Sequence, residues 1–232
     1  YTSPKVDLDF MYNLQSSYTR GYIDFLAHHT VKGQVYDVNQ VTEHTGRSLA
    51  HTLRAGGTYK FDADNSLELS YTTQFSPNSQ HHSHSSGSIS ESFNDSRTHH
   101  QMHNAALNYT SGFGFRAGAD YTNFTSTDTQ NFFDQSPEEV ETRFVSRSDQ
   151  HIDRWKIYAD QSHSLPHDWM LNYGTSFSYV HNRNIQDYDL PEMQGQNLYN
   201  RIREYTYNVY AGFDKPFNSQ WTLSASATLE YY

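Results

Sequence analysis

The sequence predicts an all-β chain, an antiparallel up-and-down meander of about ten long strands. Three observations carry this reading. Apolar and polar residues alternate with period two, polar connections of two lengths take turns along the chain, and the alternating stretches run longer than ordinary globular strands.

The alternation is complete near the end of the chain. Trp221, Leu223, Ala225, Ala227, Leu229 and Tyr231 fall on one face, and Thr222, Ser224, Ser226, Thr228 and Glu230 on the other. Near the start, Val6, Leu8, Phe10, Tyr12 and Leu14 oppose Asp7, Asp9, Met11, Asn13 and Gln15. Leu67, Leu69, Tyr71, Thr73 and Phe75 oppose Glu68, Ser70, Thr72 and Gln74. Leu49, Leu53, Ala55, Gly57, Tyr59 and Phe61, interrupted by His51, oppose Thr52, Arg54, Thr58 and Lys60. Helical spacing explains none of these, and aromatic and β-branched enrichment agrees with strand. The expected strands are 5–16, 20–33, 48–61, 66–76, 97–110, 113–125, 146–162, 168–182, 201–214 and 220–232, of which the second, fifth and sixth are the least regular.

Short turns are expected at Ser16–Thr19, Asp62–Asn65, Ser111–Gly112, His163–His167 and Lys215–Ser219. Long polar loops are expected at about 34–47, 77–96, 126–145 and 183–200, so that the chain 1–232 is one segment of five hairpins. Short and long alternate, as in a transmembrane barrel whose two ends face different compartments. Lipid spanning takes ~9–11 residues per strand, against ~5–6 in globular proteins. The fold class is therefore a segment of a transmembrane β-barrel. The apolar rows lack Lys, Arg, Asp and Glu along their central stretches, and a Lys or Arg facing lipid at the midplane costs ~2–4 kcal/mol. Mean hydropathy is −0.87 with 35% hydrophobic residues, but only alternate residues of a barrel wall meet lipid, so the low average does not oppose this. An ordinary sheet with one face on a core gives the same alternation; loop asymmetry and strand length favour the barrel.

The remaining composition excludes rather than assigns. Net charge is −10 with no Lys/Arg cluster, which argues against nucleic acid as a partner. With no cysteine there is neither a disulfide framework nor a Cys zinc site. The chain opens at Tyr1 without Met or a signal peptide, as expected of an excised or processed piece. No HExxH, GxSxG or P-loop pattern is present, so no enzyme and no cofactor is expected.

Asn104-Ala-Ala-Leu-Asn-Tyr109 followed by Ala119-Asp-Tyr121 resembles the large outer-membrane β-barrel family of Bacteroidetes, related to TonB-dependent receptors. So do Arg154-Trp-Lys-Ile-Tyr-Ala-Asp160, Leu171-Asn-Tyr-Gly174, Phe177-Ser-Tyr-Val180 and the stretch Tyr199–Tyr232 with Glu204, Tyr205, Tyr207 and Leu229-Glu-Tyr231. The resemblance covers about 97–232 and is carried by strand patterns. It implies a barrel of about twenty-two strands in the outer membrane of a Gram-negative bacterium. Its partners would be outer-membrane lipid, the remainder of the barrel and a plug domain. The implied function is solute binding at the long loops and passage through a polar lumen. No counterpart of the family's plug or TonB box is present in the sequence. An arc of sheet has two open edges, so closure, self-association or packing on a neighbour is expected. The rival reading is a secreted or surface β-sheet protein that binds glycan or a partner protein without spanning lipid.

The 14 histidines supply candidate ligands. His81, His82 and His84 lie in an expected loop, and His99, His100 and His103 follow on the same connection; together they suit Zn²⁺, Cu²⁺ or haem iron if they converge. Asp134 with Glu138, Glu139 and Glu141 suggests a weak Ca²⁺ loop. Asp62-Ala-Asp-Asn65 reads as a hairpin turn. Phe132, Phe133 and Tyr188 are expected loop aromatics able to contact substrate. Tyr12, Tyr59, Phe61, Phe75, Trp169, Trp221 and Tyr231 are candidates for interfacial girdles.

Overall fold

The structure is a computed structural model that describes residues 1–136, 141–217 and 220–232. They form one antiparallel sheet in which every strand pairs only with its sequence neighbours. The nine strands are β1 (Val6–Val31), β2 (Gln34–Lys60), β3 (Ser66–Gly87), β4 (Glu91–Thr110), β5 (Phe115–Gln135), β6 (Glu141–Leu165), β7 (Trp169–Tyr188), β8 (Leu198–Pro216) and β9 (Thr222–Tyr231). The all-β up-and-down meander is what the chain forms. The only helical elements among the described residues are 3₁₀ turns at Pro166–Asp168 and Pro191–Gln196, and no helix is long and apolar enough to cross a membrane.

Two details of the expected layout are corrected. Ser16–Thr19 is not a turn: β1 runs straight through it, with Ser16 opposite Leu49 and Thr19 opposite Gly46, so the described residues form nine strands and not ten. Nothing in Ser-Ser-Tyr-Thr demands a turn, and Ser17 hydroxyl meets Ser48 hydroxyl across the ladder at 2.6 Å. The expected long loops are also mostly strand. His82 sits opposite Asp95 and Arg97 opposite Thr129, in unbroken pairing. Backbone hydrogen bonding needs no greasy face, so the ladder continues where both faces are wet and the alternation signal has vanished.

The real connections at that end are tight. Lys32 and Gly33 have φ of 53° and 82°, the two left-handed residues a type I′ hairpin turn requires. Ser88–Ser90 joins β3 to β4, and Asp189–Asn197 is the longer link from β7 to β8.

Register aligns the chain's alternation across the whole sheet. One row reads Leu8, Gly57, Leu69, Leu107, Ala119, Ile157, Phe177, Tyr207 and Tyr231, each directly opposite the next. The flanking rows on that face run Val6, Tyr59, Leu67, Tyr109, Ala117, Ala159, Thr175, Val209, Leu229 and Phe10, Ala55, Tyr71, Ala105, Tyr121, Trp155, Tyr179, Tyr205. None of these residues is charged. The hydroxyl of Thr175 donates to the Asn208 carbonyl at 3.0 Å, so it too is satisfied within the sheet.

The alternate rows are polar. Asp7, Thr58, Glu68, Asn108, Gly118, Tyr158, Ser176, Asn208 and Glu230 make one of them. Their neighbours carry the bonds expected of a wet surface: Lys60–Asp7 at 2.5 Å, Asn104 amide to Asp120 at 2.7 Å, Tyr210 hydroxyl to Asp160 at 2.8 Å.

No apolar side chain among the described residues is buried; Phe10, Ile157 and Leu229 are 70%, 53% and 74% exposed. The sheet is a single layer without a core of its own. Its edges are open: β1 pairs only β2, and β9 covers β8 only from Tyr207 to Pro216.

Among the described residues a single β-bulge breaks the register, at Ser76-Pro77-Asn78-Ser79 in β3, where both neighbouring ladders shift together. Proline cannot donate to a ladder and is tolerated at such a point. Ser76 is nearly fully buried, donating to the Leu49 carbonyl at 2.8 Å and meeting Ser79 hydroxyl at 2.9 Å.

Candidate functional site

The apolar rows occupy only the part of the sheet nearest the turns at Asp62–Asn65, Ser111–Gly114 and Pro166–Asp168. Aromatic residues mark both limits of this belt. On the turn side, Tyr59 meets Phe61 (ring centroids 5.1 Å) and Trp169 meets Phe213 (6.1 Å). On the far side, Tyr121 lies against Trp155 at 4.3 Å and Tyr179 against Tyr205 at 5.0 Å. Of the expected girdle residues, Tyr59, Phe61 and Trp169 stand at the first limit and Tyr12 and Phe75 just past the second. Tyr231 instead lies in the middle row of the belt, opposite Tyr207.

Beyond the far limit the faces exchange character in β5–β8, whereas in β1–β3 the same rows keep Tyr12, Leu53, Leu14 and Phe75 on the belt face. The next rows on the formerly apolar face hold Asn123, Asp153, His181 and Arg203, then Thr125, His151, Arg183 and Arg201. On the formerly polar face, Met102, Phe124 and Ile152 now stand in one row with Asn182 and Ile202. This switch explains why the expected strands at 97–110 and 113–125 looked irregular: each carries both patterns in succession.

The histidines do not converge. His84 faces Phe93, stacked at 4.2 Å, while His99 lies six residues further along β4, roughly 20 Å at ~3.4 Å per residue. His82 hydrogen-bonds Asp95, His84 contacts Glu91 at 3.2 Å, His99 contacts the Pro77 carbonyl at 3.2 Å, and His103 bonds Tyr71 hydroxyl at 2.7 Å. His81 stacks on His44 at 6.1 Å, on the opposite face from His82. His100 is opposite the buried Ser76. Among the described residues no group of three or more His, Asp or Glu is placed to hold a metal ion. Strand alternation is the reason: adjacent histidines on a strand point apart.

Of the acidic set, Glu138 and Glu139 lie outside the described residues, and Asp134 and Glu141 lie on opposite faces by the β5–β6 register. Asp62 closes its hairpin as read, accepting from the backbone N–H of Asp64 (2.9 Å) and Asn65 (2.8 Å) and from the Asn65 amide (2.7 Å). These bonds, that from Asp64 foremost, hold its carboxyl below the ordinary carboxylate range.

Phe132, Phe133 and Tyr188 are strand residues and not loop residues. Phe132 and Tyr188 share the face that carries polar residues within the belt. There Phe132 packs on Phe144 at 4.9 Å and Phe144 on Tyr188 at 5.9 Å, edge to face. Gln186 donates to Tyr188 hydroxyl (2.9 Å) and Ser146 hydroxyl (3.3 Å) beside this row. Phe133 is on the other face, between Phe93 at 5.9 Å and the Arg143 guanidinium at 5.2 Å. Phe144 was missed by the sequence reading because it fell in an expected loop with no period. Flat rings flanked by amides and hydroxyls suit a neutral, hydroxyl-rich solute: ring faces take its C–H surfaces, and Gln and Ser its hydroxyls.

No protein-family model matches the chain, and no curated protein matches it.

Proposed function

We propose that this chain is wall of an outer-membrane β-barrel of the TonB-dependent-receptor-like kind, binding solute on its inner face and passing it through a polar lumen. The observation that carries the reading is the uncharged belt, continuous over nine strands and uncovered by any other part of the described chain. A lone sheet layer in water leaves its greasy face unpaid for, and a stable sheet needs that face covered. Hydrocarbon is the cover that matches this belt in height. Trp169 to Tyr179 spans ten residues of β7, roughly 34 Å along the strand and roughly 26 Å at a barrel's ~40° tilt, against a lipid-facing band of ~25 Å.

On this reading the belt faces lipid, the polar rows face the lumen, and the strand ends beyond the belt stand outside the cell. The switch of faces supports it. Above hydrocarbon the outer surface meets water and carries charge, while the inner surface is released to hold Phe124, Ile152 and the Phe132–Phe144–Tyr188 row. The open edges would then join the remainder of the barrel wall. Uptake makes and breaks no bond.

The test is fractionation and detergent dependence of the full-length protein. Recovery in outer-membrane fractions, with solubility only in detergent, is expected. A monodisperse detergent-free protein absent from those fractions would overturn the barrel and favour the rival reading, a secreted or surface sheet that binds glycan or a partner protein without spanning lipid.

A further inference from the structure

On the polar face of the belt a hollow of about 270 Å³ lies across β6, β7 and β8, lined by Lys156, Tyr158, Asp160, Ser176, Asn208 and Tyr210. Its layout follows from the register. Tyr158, Ser176 and Asn208 stand in one row. Lys156 is one row further from the turns, and Asp160, beside Gly174 and Tyr210, one row nearer to them. A cation and a carboxylate therefore close the two ends, their Cα atoms roughly 14 Å apart along β6. Uncharged hydrogen-bonding groups floor the space between.

Both charges are left open by the chain. Asp120 stands opposite Lys156 in the β5–β6 ladder, yet its carboxylate takes the Asn104 amide at 2.7 Å. Arg116 stands opposite Asp160 in the same ladder. Among the described residues neither Lys156 nor Arg116 forms an ion pair. Asp160 Oδ1 accepts from the Tyr210 hydroxyl at 2.8 Å, which leaves Oδ2 free. Tyr210 reaches it by lying across Gly174, where a Cβ would collide with Oδ1 and come within 2.7 Å of the ring. Tyr158 is drawn away from the hollow, its hydroxyl donating to Asn108 at 2.8 Å.

We infer that this hollow binds a short peptide with free termini, its carboxylate on Lys156, its ammonium on Asp160 and its peptide groups against the Ser176 hydroxyl and the Asn208 amide. Charge-assisted hydrogen bonds at both ends set the direction of the ligand, and the neutral row between them matches amides. An extended chain rises ~3.4 Å per residue, so two or three residues bridge the ends once both side chains reach inward. A free amino acid holds its two charges too close together to meet both, and a neutral sugar has neither. The hollow lies roughly 40 Å along β6 from Phe144 and is separate from the aromatic row. The inference goes beyond the membrane reading and needs from it only that the polar face meets water.

The test titrates trialanine, N-acetyl-trialanine and trialanine amide calorimetrically into the full-length protein in detergent micelles. Trialanine is expected to bind about tenfold more tightly than either capped form. K156Q should weaken trialanine about tenfold and leave trialanine amide, which has no carboxylate, unchanged. D160N, which still accepts the Tyr210 hydroxyl, should weaken trialanine about tenfold and leave N-acetyl-trialanine, which has no ammonium, unchanged. Equal affinities for all three peptides in the unaltered chain overturn the assignment without any variant having to fold. So does the absence of saturable heat at millimolar trialanine, or a K156Q loss that trialanine amide shares. Absence from outer-membrane fractions would remove the membrane reading alone and leave this site to be judged on these affinities.

Discussion

Trp155 stands directly opposite Tyr121 in the β5–β6 ladder, their rings 4.3 Å apart, and the residue after Tyr121 on the same face, Asn123, already bonds a carboxylate. The boundary between greasy and charged surface is therefore one side-chain row wide, and the aromatic pair sits on it. Aromatic pairs contribute about 0.5–1.5 kcal/mol beyond their buried area. A double-mutant cycle with Trp155→Ala and Tyr121→Ala should return a coupling of that size. Tyr121 also donates to Asp153, so the same cycle run from a Tyr121→Phe background, where only the ring remains to be removed, separates ring contact from hydrogen bond. Strict additivity of the two substitutions would show that the rings do not act together.

The two faces of the belt should answer differently to charge. Ile157→Arg places a guanidinium in the middle of the uncharged row and is expected to cost ~2–4 kcal/mol in a bilayer. Ser176→Arg, in the adjacent polar row, should change stability by less than about 1 kcal/mol. Urea unfolding in lipid vesicles reads both. Equal costs would mean that the faces see the same surroundings, contrary to the lipid reading.

The β3 bulge should make one site tolerant of shortening. Deleting Asn78 removes the extra residue and lets β3 pair regularly with β2 and β4, keeping each side chain on its face. Deleting Thr72 shifts one end of β3 by a residue and sends either Leu67 and Leu69 or Thr73 and Phe75 to the wrong side. Folding yield from urea should fall sharply for the second deletion and little for the first. Comparable losses would deny the bulge its role as register corrector.

The Asp62 hairpin should impart a pH dependence of known sign. Its carboxyl is held below the ordinary value of 3.8 by bonds that an unfolded chain lacks. The stabilisation is then fully present above the unfolded pKa and is lost as pH falls through the folded one. The stability gap between the unaltered chain and Asp62→Ala should be constant near neutral pH and narrow below about pH 4. Unfolding midpoints at neutral and acidic pH measure it; a gap that widens on acidification contradicts the sign.

Much of the belt was legible in the sequence because period-two alternation is a local property: Trp221–Tyr231 and Val6–Leu14 each show it without reference to any neighbour. The Asp62 turn was legible for the same reason, since an Asx side chain bonds its own backbone within three residues. What could not be read was where strands end once both faces are wet. His81, His82 and His84 have no period that distinguishes strand from loop, and only pairing with Phe93–Ser96 decides the matter. The candidate site suffered most from this. Phe132 and Phe133, adjacent in sequence, belong to different surfaces, and Phe144 joins Phe132 only through the β5–β6 register.

By itself, then, the sequence determined the class of structure and the presence of one uncharged face, because hydrophobic period is written residue by residue. The tertiary structure alone decided which residues share a row, how far the ladders run past the belt, and where the faces exchange. Those are consequences of backbone pairing between distant segments, and hydrogen bonds between peptide groups carry no side-chain signature.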